Sequence, residues 1–217
     1  MSYAKPSDKF LASRGISVVQ QLTEDQIDAL KELINIGVGR AASLLNEMVG
    51  FPIRLEIPFI QAFAVEDLQQ ELIARFNKNY LATVRLGFTG SINGSAELVF
   101  PTESASTLVS VLTGEDLGSP DLDAVKIGTL TEVGNIVING VIGSLGNLLK
   151  QRMNYLIPTY TEDTVENLFA AVEPDDSTIV LAQASFTIEQ LQVIGDLIFI
   201  FELQTFDQLI AAIEEMA

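Results

Sequence analysis

Two pairs of polar side chains, each a glutamate followed three positions later by an asparagine, are the residues best suited to chemistry. They are Glu32 with Asn35 and Glu132 with Asn135. A carboxylate accepts hydrogen bonds, and an amide both donates and accepts them. The chain has no His and no Cys, which removes the commonest general base and all thiol chemistry. Each pair therefore predicts a binding surface more readily than a stand-alone active site.

The two pairs belong to an internal repeat with an offset of one hundred positions. The register holds without a gap, and the matched residues are Ile27/Ile127, Leu30/Leu130, Glu32/Glu132, Asn35/Asn135, Ile36/Ile136, Leu45/Leu145, Ile57/Ile157 and Pro58/Pro158. A single Glu-x-x-Asn is most simply a solvated helix face. Two copies in register, each followed by Pro at the same distance, favour a functional site, and the repeat indicates a duplicated architecture.

Both copies lie in long segments with helical periodicity. At about 100° per residue, the wheel gathers the apolar residues on one face and the polar ones on the other. The predicted buried stripe of the first copy is Leu30, Ile27, Ile34, Gly37, Val38, Ala41, Leu45 and Met48. Asp28, Glu32, Asn35 and Gly39 lie opposite it, and Glu132, Asn135 and Asn139 occupy that face in the second copy.

These motifs carry a family resemblance. Asp28-x3-Glu32-x2-Asn35-x22-Pro58 resembles the signature of the CheC-type chemotaxis phosphatases, which dephosphorylate the response regulator CheY. Glu132-x2-Asn135-x22-Pro158 repeats it, with Gly128 where that pattern has Asp or Ser. The resemblance covers the chain from about Leu22 to its end and implies a two-site CheC-like member, in a fold that flagellar switch proteins share.

The resemblance implies a hydrolase acting on a phosphorylated CheY-like receiver. Asn35 and Asn135 would position the attacking water, Glu32 and Glu132 would pair with a receiver lysine, and Asp28 would be an auxiliary contact. The receiver would bring its own phospho-aspartate and Mg²⁺, so no metal or cofactor is expected in this protein. The alternative is a non-catalytic module that binds a receiver, a flagellar switch partner or a CheD-type receptor deamidase.

Composition limits the other function classes. The chain has 217 residues, 48% of them hydrophobic, and a net charge of −17. No Lys or Arg follows Arg152, so the C-terminal surface would repel phosphate backbones and nucleic-acid binding is not expected. No apolar run is expected to span a membrane, and no signal peptide is expected. We expect a cytoplasmic monomer.

The predicted fold class is α+β. Residues 1–20 are predicted to form a tail, and 21–217 a single domain of two half-repeats, 21–117 and 118–217. In it, two long helices carrying the Glu-x-x-Asn pairs lie on one side of an antiparallel sheet, with further helices on the other. Thr23 and Gln26 form a predicted capping box for the first long helix. The second is predicted to start at Ser119-Pro120 and to end near Arg152, and a strand is predicted over Tyr155–Thr161.

Overall fold

The structure is a computed structural model, and it describes residues 23–50, 52–63, 65–76, 80–90, 92–115, 122–150, 152–168, 177–188 and 191–215. The predicted tail and the predicted boundary between the half-repeats lie outside the described residues. The helices of the protein are α1 Glu24–Val49, α2 Val65–Phe76, α3 Thr102–Thr113, α4 Ala124–Leu148, α5 Val165–Leu168 and α6 Leu203–Glu214. Its strands are β1 Ile53–Phe63, β2 Leu81–Thr89, β3 Gly94–Pro101, β4 Asn154–Tyr155, β5 Thr159–Asp163, β6 Ser177–Ile188 and β7 Leu191–Glu202.

Helix α1 begins and ends where its sequence signals predict. The Gln26 backbone N–H donates to Thr23 Oγ1 at 3.2 Å, and the Thr23 N–H donates to Gln26 Oε1 at 2.8 Å, which completes the capping box. At the other end Gly50 adopts a left-handed conformation with φ 76°, as glycine does after many helices.

Helix α4 begins later than predicted. Asp123 is its N-cap, and the Asp123 carboxylate accepts from the backbone N–H groups of Val125 at 3.0 Å and Lys126 at 2.9 Å. The helix ends at Leu148 rather than near Arg152, and Lys150 follows with φ 54°. The predicted start at Ser119-Pro120 is therefore wrong, because Asp123 supplies the capping oxygen one turn later.

The strands form one antiparallel sheet in the order β1-β6-β7-β3-β2-β4, with β5 also pairing with β2. The hairpin β2–β3 of the first half lies beside the hairpin β6–β7 of the second, joined through β3 and β7. Strand β1 pairs with β6, and β5 with β2. Each half thus places its first strand against the hairpin of the other half, which gives the sheet its pseudo-two-fold arrangement.

The two faces of the sheet carry different helices. On one face α1, α4, α3 and α6 contribute Leu30, Val137, Leu108 and Leu209 to the larger apolar core. On the other face α2 and α5 contribute Leu68, Leu72 and Val165 to a smaller core. The predicted α+β class, with two long helices on one side and further helices on the other, is confirmed. Helices α3 and α6 share the side of the long helices.

Helix α4 is the more apolar of the two long helices. By length and composition it could cross a membrane, with a mean hydropathy of 1.2 over its most apolar stretch, so the expectation that no segment would meet this test is wrong. Leu130, Val137 and Val141 of this helix are fully buried in the larger core. A helix buried on a sheet passes the same test, and α4 is such a core helix.

Candidate functional site

The two helices that carry the Glu-x-x-Asn pairs touch through glycine. A Cβ atom added to Gly37 would lie 2.4 Å from the Val141 Cα, and one added to Gly140 would lie 2.7 Å from the Gly37 carbonyl oxygen. No side chain fits at either position, so the two backbones approach directly, as in other helix contacts made through small residues. This contact fixes the position of one pair relative to the other.

The predicted polar faces point away from the core. Asp28, Glu32 and Glu132 are exposed, and Asn35 and Asn135 are half-buried at the edge of the same faces. Within the described residues, neither glutamate has a hydrogen-bond or ion-pair partner. The predicted buried stripe is largely confirmed, although Met48, in the last turn of α1, is 58% exposed. The placement of Met48 in the core is therefore wrong.

Asn35 is tied to the neighbouring strand. Its Oδ1 accepts from the backbone N–H of Ile57 at 3.2 Å. Ile57 and Pro58 form a bulge in β1, where the pairing with β6 shifts register between Glu56 and Phe59. A bulge leaves a backbone N–H without a ladder partner, and Ile57 is only 2% exposed. Asn35 supplies the missing acceptor, and its Nδ2 has no partner among the described residues.

The repeated proline marks this bulge. Proline has no N–H to donate to a ladder and is confined to edge strands and bulges. In the second half the corresponding residues Leu156, Ile157 and Pro158 separate β4 from β5, so the predicted single strand over Tyr155–Thr161 is interrupted. This second bulge is turned outward: Ile157 is 86% exposed, and the Leu156 side chain covers Gly87 on the opposite face of the sheet.

Asn135 makes a different contact as a result. Its Oδ1 accepts from the Nδ2 of Asn139 at 2.8 Å, one helical turn further along α4. Asn139 Oδ1 is buried and has no hydrogen-bond partner in the described part of the chain. In both copies the carbonyl oxygen of the asparagine amide accepts a hydrogen bond, and the amide nitrogen has no partner among the described residues. The structure thus brings each Glu-x-x-Asn pair together, and it holds the two amides by different groups.

Some polar residues were not singled out by sequence analysis. Arg85 and Glu97 pair across β2 and β3, with Nε donating to Oε1 at 2.7 Å. Burial raises the pKa of Glu97, and the Arg85 guanidinium offsets part of that effect. Nothing in the two strand segments distinguishes these residues from solvated charges.

No group of three or more acidic residues among those the structure describes is arranged to hold a metal ion.

Comparison with known sequences gives a family model and a curated relative. The family model for the chemotaxis phosphatase CheX matches residues 82–174, a stretch that contains Glu132 and Asn135. The CheY-P phosphatase CheC of Bacillus subtilis (strain 168) is 27% identical over 166 residues, which are 72% of this chain and 74% of the relative.

Comparison with solved structures shows the fold. FliY of Thermotoga maritima matches with a TM-score of 0.74 at 17% identity, over 90% of this chain and 99% of that one. The FliM middle domain of H. pylori matches with a TM-score of 0.63 at 8% identity, over 88% of this chain and 99% of that one. At these identities the likeness concerns the fold alone.

Proposed function

We propose that this chain, whose sequence is similar to the CheX family model and to a CheC phosphatase, dephosphorylates a CheY-like response regulator. The reaction would be hydrolysis of the receiver's phospho-aspartate at both Glu-x-x-Asn faces, one on α1 and one on α4. The observation that carries the proposal is that both asparagine amides are held by their carbonyl oxygens beside an exposed, unpartnered glutamate.

Glu32 and Glu132 are proposed to bind the receiver. Each carboxylate is exposed and has no cationic partner among the described residues, so no ion pair seen there has to break when a partner's lysine approaches. Charge pairing of this kind favours orientation and encounter more than raw affinity. Asp28 lies one turn before Glu32 and adds a second carboxylate to the first face, whereas Gly128 adds none to the second.

Asn35 and Asn135 are proposed to position the attacking water. With Oδ1 already occupied, the free Nδ2 group can donate to the water oxygen or to a phosphoryl oxygen. Phosphoryl transfer depends chiefly on positioning and on neutralising charge, which suits a site without a strong base. The receiver would supply Mg²⁺ and the lysine. This chain's contribution is a rigid amide that holds the water in line.

The test is phosphate release from a panel of phosphorylated receivers, measured with and without the protein. Asn35→Ala combined with Asn135→Ala should abolish the acceleration while leaving receiver binding largely intact. Glu32→Ala combined with Glu132→Ala should weaken binding itself. If the parent protein binds a receiver and the rate of phosphate release does not change, the chain is a binding module and the phosphatase proposal is wrong.

A further inference from the structure

We propose that Asn139 is a positioning residue of the second site, where its side-chain amide does what the Ile57 backbone N–H does at the first. The inference rests on the proposed function, because it assigns Asn139 the task of fixing the Asn135 amide for water positioning. Asn139 donates from Nδ2 to Asn135 Oδ1 at 2.8 Å. The Asn135 Nδ2 group is then directed away from that contact, as the Asn35 Nδ2 group is in the first copy.

The second site needs a side-chain donor because its bulge lies in a different place relative to the asparagine. At the first site the buried bulge at Ile57 brings a backbone donor to the asparagine. At the second, Ile157 is 86% exposed and Leu156 lies over Gly87, so no donor from this bulge bonds to Asn135. The terminal torsion of an asparagine is broad and roughly two-fold. Without a donor to Oδ1, the Asn135 amide would sample both orientations.

Asn139 also has an energetic cost that the fold itself does not require. Its own Oδ1 is buried with no hydrogen-bond partner among the residues that the structure describes, which is unfavourable for a polar atom. The matching position in the first copy is Gly39, where an added Cβ would meet nothing within 4 Å. The fold therefore does not require a side chain here, and the first site, which has its bulge donor, carries none.

The kinetic test uses an Asn35→Ala parent, in which only the second site acts. Asn139→Ala removes the donor and should lower kcat about 10-fold with KM unchanged, since Glu132 still binds the receiver. Asn139→Asp is nearly isosteric but offers only acceptors, so it turns the Asn135 amide around and should lower kcat at least as much. Asn139→Gln keeps a donor and should restore part of the rate. Asn147→Ala, an exposed asparagine on the same helix, is the matched control and should change nothing.

A second measurement does not depend on turnover. In NMR spectra of the otherwise unmodified chain, the Asn139 side-chain amide protons should exchange slowly and should shift and exchange faster in Asn135→Ala. Unchanged kcat in both Asn139→Ala and Asn139→Asp, or an Asn139 amide indifferent to Asn135→Ala, would overturn the assignment. If the unmodified protein accelerates release from no receiver, the phosphatase proposal is at fault, and the NMR result alone decides the role of Asn139. If only the Asn35→Ala parent is inactive, the second site does no catalysis and the assignment of Asn139 is wrong.

Discussion

Asn35 should matter for both stability and turnover, whereas Asn135 should matter mainly for turnover. Asn35 Oδ1 is the acceptor for the Ile57 backbone N–H at 3.2 Å, inside a bulge whose isoleucine is 2% exposed. Asn35→Ala removes that acceptor and leaves the N–H without a replacement in the protein. The matched change, Asn135→Ala, frees only the half-buried Asn139 side chain, which can turn toward water.

The expected size follows from the cost of an unsatisfied buried donor, about 1–3 kcal/mol. Asn135→Ala should cost less than about 1 kcal/mol, in the range of an ordinary side-chain hydrogen bond. Asn35→Asp separates the two roles, because it keeps an oxygen for the Ile57 N–H while it removes the amide nitrogen. It should therefore remain closer to the parent in stability than Asn35→Ala, and it should still lose turnover.

Urea denaturation of the parent and the three variants gives the comparison, provided that the m-values agree. In a chain of this length, each kcal/mol corresponds to a melting-temperature shift of about 2–4 °C, so thermal scans give an independent check. Equal free energies of unfolding for Asn35→Ala and Asn135→Ala would refute the reasoning. The same holds if Asn35→Asp is as destabilised as Asn35→Ala, since the acceptor would then be irrelevant.

Three other variants test separate features. Gly37→Ala should destabilise the protein, because the added Cβ would lie 2.4 Å from the Val141 Cα. Gly39→Ala, whose Cβ would meet nothing within 4 Å, should stabilise the protein by about 0.5–1 kcal/mol. Urea midpoints that shift in the same direction for both variants would contradict this. Glu97→Gln removes this titration, so its stability relative to the parent should be greater at pH 7.5 than at pH 4.5, because a carboxyl whose pKa is raised in the folded state makes the parent less stable as the pH rises through that window; a relative stability that is greater at the lower pH would contradict the sign. In phosphate-release assays on folded protein, Asn35→Ala should cost more turnover than Asn135→Ala, since Asp28 supports only the first face, and the reverse order would make Asp28 a solvated residue.

Much of the fold could be predicted because its signals are local. The Thr23–Gln26 capping box and the apolar periodicity of the first long helix act within a few residues, and the structure confirms the box and most of the buried stripe. The start of α4 could not be chosen on the same grounds. Ser119-Pro120 and Asp123 are all acceptable near a helix start, and only the folded chain shows that Asp123 caps the helix.

The site could be predicted only as far as the helical wheel reaches. The wheel correctly turns Glu32 and Glu132 to the surface, because periodicity defines the side opposite the core. It contains no information about which strand approaches that side. The contact between Asn35 and Ile57, the outward turn of Ile157 and the bond from Asn139 to Asn135 all depend on how the edge strands dock.

The exchange of first strands between the halves has a consequence for how the chain folds during synthesis. Ile53 pairs with Ile188 and Phe63 with Ile179, so the β1–β6 ladder joins residues more than a hundred positions apart. When the first half has left the ribosome, the β6 partner of β1 has not yet been made, and the edge of β1 must wait unpaired. Contacts of this separation slow folding, and an unpaired edge invites association with other chains. Refolding from urea should therefore be slow for a chain of this size, and the first half expressed alone should associate or aggregate.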